Sequence, residues 1–225
     1  MKSEPTLKIE KSLKTYSPST MCGIKINKFR GCCTAFEVPV ECGSTSSGII
    51  DCVQVCEYFS DIQAVNSCYW HIHKSKGMKV LERDVKCLNE YLPGQKPMRC
   101  EHTGCAYLTR HSYGIPEILT ICYEIKVTKA DFKSKNGHNF VGNLNYYVVP
   151  YSLYPEIKQH IPNGIGVILY YDGTQQTNKS DKRIFQFPFF GLRKKRECEF
   201  RAMTNEKQKW ILMSVLKRVK RSICE

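Results

Sequence analysis

The chain has 225 residues, with 34 Lys and Arg against 21 Asp and Glu and a formal net charge of +13 at pH 7. That length suits one domain with a real core, and that charge favours a polyanionic partner, nucleic acid ahead of an anionic membrane. No apolar run reaches the roughly 18–20 residues that span a bilayer. Residues 1 to 19 are polar and charged, so no secretory leader and a cytoplasmic location are expected.

Thirteen cysteines are many for this length. In a reducing compartment they are expected as thiols or metal ligands rather than disulfides, and the odd count also argues against a fully paired framework. Cys52 and Cys122 lie within β runs and read as small buried hydrophobes.

In chain order, Thr6 to Tyr16 can form a short helix with Leu7, Ile9 and Leu13, imperfectly spaced, and with Glu10 among its polar residues. Phe36 to Cys42 alternates as a strand, with Phe36, Val38 and Val40 on one face, and Pro39 suits a sheet edge. The Gly43 to Gly48 stretch is a turn by composition, and Gly48 to Val55 is a second strand, so the two form a hairpin. Asp51 stands among Ile49, Ile50, Cys52 and Val53. Burying an unpaired carboxylate is costly, so it is either on an exposed strand face or held for use.

Residues 57–113 form a Cys- and His-bearing insertion. Cys68, Cys87, Cys100 and Cys105 could supply the four ligands of a structural zinc site, with His71, His73, His102 or His111 as substitutes. The Cys100 to Cys105 knuckle is not a C-x2-C pair, and an irregular loop with scattered thiols fits the same residues.

Ile115 to Val127 reads as a strand, and at its end Glu124 and Lys126 are two apart and share a face. Such a pair is either a surface ion pair, under ~1 kcal/mol, or a metal ligand beside a cation that activates water or steadies a phosphate. Thr128 can cap a short helix, with Asp131 three residues on in a capping-box arrangement. A polar stretch to Asn139, a strand Asn145 to Pro150, a helix Pro155 to Ile161 and a strand Ile165 to Tyr171 follow. This β-α-β-α-β order predicts an α/β core with adjacent strands.

Asp172 to Lys182 is a polar loop, and the aromatic run Phe185 to Phe190 is an edge strand or packing segment. Arg193, Lys194, Lys195 and Arg196 follow directly, as a solvated charge run or as phosphate contacts beside stacking aromatics. Residues 192–225 form a basic C-terminal helical segment. Within it Thr204 to Arg221 is a helix whose apolar stripe holds Trp210, Ile211, Met213, Val215 and Leu216.

Tyr123 to Phe132 (YEIKVTKADF) with Tyr146 to Pro150 (YYVVP) resembles the PD-(D/E)XK nuclease superfamily, and within it the small MmcB-like DNA-repair proteins and their phage and mobile-element relatives. The resemblance covers Phe36 to Val55 and Ile115 to Tyr171. It implies a restriction-endonuclease-like core, a central mixed sheet flanked by helices, with the Cys/His-rich segment inserted into a single domain. It implies Asp51, Glu124 and Lys126 as the catalytic set. Asp51, Glu124 and the Ile125 carbonyl would hold Mg²⁺ or Mn²⁺ for phosphodiester hydrolysis of DNA, and Lys126 would orient or help deprotonate the attacking water.

In that family a helix before the first strand often offers an acid, a place Glu10 could fill. Pro116-Glu117 spells the family's Pro-acid pair, but no turn signal separates Glu117 from Glu124, which favours Asp51. The stretch from Asp51 to Glu124 is longer than the family pattern. Some members carry an iron–sulfur cluster, whose cysteine spacing is not found here. Lys129, Lys133, Lys135, His138 and Asn139 become candidates for phosphate contact, and a bacterial or phage-infected cytoplasm is implied. Two other functions stay open: a non-catalytic DNA-binding module on the same scaffold, and a zinc-stabilised interaction protein.

Overall fold

The structure, a computed structural model, describes residues 2–16, 20–21, 24–25, 32–40, 48–57, 118–134, 137–173 and 190–224. The candidate zinc ligands Cys68, Cys87, Cys100, Cys105, His71, His73, His102 and His111 lie outside these residues. So do Glu117, Lys135, the turn before Gly48 and the aromatics preceding Phe190.

The elements are α1 (Glu4–Thr15), a two-stranded ribbon β1 (Thr20–Met21) and β2 (Ile24–Lys25), β3 (Cys32–Pro39), β4 (Ile49–Glu57), β5 (Ile118–Ile125), α2 (Lys129–Lys133), β6 (Leu144–Pro150), α3 (Tyr154–Ile157), β7 (Gly166–Asp172), β8 (Phe190–Arg196) and α4 (Asn205–Cys224). A 3₁₀ turn, Lys158–His160, continues α3. Strands β3 to β8 form one six-stranded sheet in which chain neighbours are sheet neighbours. The pairs β3/β4, β4/β5 and β7/β8 are antiparallel, and β5/β6 and β6/β7 are parallel. The expected α/β class, a mixed sheet flanked by helices, is therefore present.

Strands β5 and β6 are buried on both faces, as their near-continuous apolar runs require. On one face α1 places Ile9 and Leu13 against Tyr123, Tyr146 and Ile168. Gln54 ties that helix down. Its amide donates to the Leu13 and Tyr16 carbonyls at 3.2 and 2.8 Å and its oxygen accepts the Tyr123 hydroxyl at 2.7 Å. On the other face Ile157 and Ile161 cover Tyr147, Val149 and Val167, while Ile211 and Val215 of α4 cover Val38, Ile50, Val53 and Cys122.

Four details differ from expectation. Phe36 does not share a face with Val38 and Val40. It packs on the α1 side and they pack on the α4 side, because Glu37 between them takes φ +52°, which breaks the two-residue alternation. The apolar stripe of α4 splits. Ile211 and Val215, one turn apart, are buried, whereas Trp210, Met213 and Leu216 lie on the exposed side.

The basic run Arg193 to Arg196 is itself strand β8, so residues 192–225 are helical only from Asn205. Its charges suit the sheet edge it forms. Finally, Cys33, Cys52 and Cys122 are free thiols, but Cys56 is disulfide-bonded, against the expectation of thiols or metal ligands rather than disulfides. Cys56 stands in a tightly paired hairpin, with Cys32 opposite it in register. Among the described residues, no helix is long and apolar enough to cross a membrane.

Candidate active site

The β4/β5 ladder runs as far as Cys52 opposite Tyr123. One step further, Asp51 stands opposite Glu124. There the side chain takes over from the backbone, and the Ile125 N–H donates to Asp51 Oδ2 at 2.8 Å. Val53 and Cys122 both pack under α4. Strand alternation therefore aims Asp51 and Glu124 to that same side of the sheet. Lys126 follows on the same side, and its N–H donates to the Val148 carbonyl of β6 at 3.1 Å.

Glu124 is fully buried. Its Oε1 accepts the Asn139 N–H at 3.1 Å, while its Oε2 is buried without a hydrogen-bond partner among the described residues. Burial, and then the charge of Asp51, push the Glu124 carboxyl up to about 8. Burial also raises Asp51, while the Ile125 N–H and the Lys126 charge draw it back. Two carboxyl groups that resist ionising together are the expected electrostatics of a site made for a cation.

Lys126 is only 3 % exposed. Its ammonium lies 3.4 Å from Asp131 Oδ1. Thr128 caps α2 as expected, with Oγ1 accepting the Asp131 N–H at 3.1 Å. The other half of the expected capping box does not form. Asp131 Oδ2 accepts from Val127 N–H at 3.3 Å rather than from the cap residue.

Residues 137–139 cover the site. Gly137 sits at φ +69°, and a Cβ there would lie 2.5 Å from Lys126 Nζ and 3.1 Å from Glu124 Oε2. The Asn139 amide donates to the Ile49 carbonyl at 2.9 Å, which fastens this segment to β4. The His138 ring bridges Ser134 and Tyr147: Nε2 is 2.7 Å from the Ser134 carbonyl and Nδ1 is 2.5 Å from the Tyr147 hydroxyl. A carbonyl only accepts, so Nε2 carries the proton, and in the neutral ring Nδ1 accepts from Tyr147. The Tyr147 phenol is raised by burial and by Glu124, which keeps it a donor. Gly137→Ala is expected to destabilise the fold by roughly 1–3 kcal/mol and to displace the Lys126 ammonium. A denaturation midpoint equal to that of the parent chain would contradict this.

A cleft of about 530 Å³ beside the buried Glu124 is lined by Glu10, Asp51, Ile125, Lys126, Asp131 and Asn139. Glu10 reaches it from α1 and is paired with Lys2 at 2.6 Å. Among the described residues, no group of three or more His, Cys, Asp or Glu is placed to hold a metal ion. The donors that fit one are two hard carboxylates, one with a buried oxygen lacking a partner. That chemistry suits Mg²⁺ or Mn²⁺ completed by water.

The other expected contacts are dispersed. Lys129 and Lys133 are exposed on α2, and Lys129 pairs with Glu156 at 3.4 Å. His138 and Asn139 brace the site itself. Arg193 to Arg196 lie three strands from β5, about 14 Å away at the usual strand spacing. Arg196 there donates to the Ile165 and Pro162 carbonyls, and Lys194 pairs with Glu197.

Compared with known proteins, the chain matches no protein-family profile and no curated protein. A solved structure of a protein of unknown function from Silicibacter pomeroyi is similar at 11 % identity and a TM-score of 0.33, over 48 % of this chain. The chain spans 66 % of that protein.

Proposed function

We propose that this chain is a metal-dependent nuclease that hydrolyses phosphodiester bonds of DNA through a PD-(D/E)XK-type site. The carrying observation is the Asp51 carboxylate bonded to the Ile125 N–H beside the buried Glu124, with Lys126 two residues on. The element order adds support. Helix α1, the antiparallel meander β3-β4-β5, short helix α2 and parallel strand β6 follow one another as the resembled core would have them. The net charge of +13 suits a polyanionic substrate.

In this reading Asp51 and Glu124 hold the ion, with the Ile125 carbonyl beside them. The bound ion would supply stabilisation of charge developing on the phosphate. The chain's own residues do the rest. Asn139 N–H fixes one oxygen of Glu124, which leaves the buried Oε2 as the atom to meet an ion beside Asp51. Asp51 is locked to the end of β5. Lys126 offers a donor that orients a water against the scissile phosphorus. Incubation of the purified chain with supercoiled plasmid should give nicked circles with Mg²⁺ and none with EDTA. Equal nicking in both would remove the assignment.

One observation favours a second reading, a non-catalytic DNA-binding module on this scaffold. Among the described residues the metal-ligand grouping stops at two carboxylates. Retarded migration of DNA without any cleavage, at every divalent ion tried, would select it.

A further inference from the structure

The carboxylate of Asp131 is held at both ends. Oδ2 accepts the Val127 N–H at 3.3 Å and Oδ1 lies 3.4 Å from the Lys126 ammonium. Its own N–H is fixed by Thr128 Oγ1 at 3.1 Å. One side chain therefore ties the backbone just past β5 to the tip of the lysine that precedes it. Asp131 also lines the cleft together with Asp51 and Ile125.

A lysine side chain has four rotatable bonds and tends to carry its ammonium into water. Here it is held almost fully buried, and a buried ammonium needs facing negative charge. Gly137 leaves just the room that the ammonium occupies. Among the described residues, the acids whose charge acts on it are Asp51 of β4, Glu124 of β5 and Asp131 of α2. In the nuclease reading the first two are assigned to the ion, which leaves Asp131 as the acid that holds the lysine.

We infer that Asp131 is a positioning residue, whose forked carboxylate holds Lys126 against the Asp51–Glu124 pair. This rests on the nuclease reading for its consequence and on geometry for its content. An amide cannot replace it. Val127 N–H and Lys126 are both donors, and an amide presents one acceptor and one donor to them.

Asp131→Asn, Asp131→Glu and Thr128→Ala test it, each first shown folded by circular dichroism. The first readout is acetylation of Lys126 by an N-hydroxysuccinimide ester, followed by peptide mass spectrometry. Lys126 is expected to be protected in the parent chain and to react at least tenfold faster in Asp131→Asn, with Asp131→Glu between them. The second readout is Mg²⁺-dependent nicking, in which Asp131→Asn should lose at least tenfold in kcat with KM within threefold.

Thr128→Ala removes the helix cap and keeps the fork, so it should stay within threefold of the parent chain in both. An unchanged acetylation rate in Asp131→Asn overturns the inference, as does Thr128→Ala matching Asp131→Asn. If no chain nicks DNA but the acetylation order holds, the positioning role stands and the nuclease reading falls. Should Asp131→Asn fail to fold, Asp131→Glu decides alone: faster acetylation supports the fork, and an unchanged rate overturns it.

Discussion

Lys126→Ala should lose at least ~100-fold in Mg²⁺-dependent nicking, the scale of a removed proton-transfer or water-orienting group, while still binding Mn²⁺. The loss is expected in kcat, since the side chain lies inside the fold rather than on an exposed docking surface. Lys126→Arg should not restore it. Gly137 already approaches the ammonium so closely that a Cβ there would be 2.5 Å away, and a guanidinium needs more room. The substitution has a second consequence. Lys126 favours the ionised forms of both Asp51 and Glu124. Without it, metal binding should require a higher pH. Nicking by Lys126→Ala at the parent rate would overturn the role given to it.

Glu124→Gln should make the metal-free protein more stable and useless as a metal site. The Glu124 carboxyl is raised from 4.5 to about 8 in the folded chain. Between those values the native state keeps a proton that the unfolded chain has released. Stability therefore falls as pH rises through that window and levels off above it, where the charge is buried at full cost. Asp51, also raised, acts in the same direction.

Glutamine keeps an acceptor for the Asn139 N–H and places an amide donor near Asp51, with no charge to bury. At pH 8.5 without metal, Glu124→Gln is expected to be roughly 2–4 kcal/mol more stable than the parent chain. Its stability should be nearly flat with pH where that of the parent slopes down. Added Mg²⁺ should stabilise the parent and leave the variant unchanged. Urea melts at pH 5, 7 and 8.5 give both curves, and a variant less stable than the parent at pH 8.5 would contradict the account.

Much of the sheet is legible in the residues. The runs that become β5, β6 and β7 are rich in apolar, β-branched and aromatic residues, and their strand character follows from that pattern. Pro39 marked β3 as an edge, which it is. The helix cap at Thr128 was equally plain, because its side-chain bond is local. What could not be read depends on contacts distant in sequence or on a backbone that leaves the regular pattern. Glu37 gives no sign of a left-handed conformation, so the turn of Phe36 to the α1 side is invisible beforehand. In α4 the apolar residues outnumber those one face can bury, and only the position of the sheet decides which ones it covers.

The site divides along the same line. Glu124 and Lys126 are visible as a two-residue spacing, and Asp51 as a carboxylate among β-branched neighbours. Their meeting depends on the β4/β5 register, 74 residues apart for the Asp51–Ile125 bond. Asp131 looked like half of a capping box, and its turn toward Lys126 follows from where β5 ends. Gly137 lay in a polar stretch with no role assigned to it, and Asn139 in the same stretch was expected to contact phosphate rather than to brace Glu124. Their use at the site comes from tertiary approach to Glu124 and Ile49.

Calorimetric titration of Mn²⁺ into the chain at pH 8.5, repeated with Asp51→Asn, addresses the carboxylate pair itself. One site per chain is expected, weakened at least ~30-fold when Asp51 loses its charge, as expected on removing one of two anionic ligands. A parent chain that takes up no Mn²⁺, or an Asp51→Asn chain that binds it equally well, would leave these two acids without the role assigned to them.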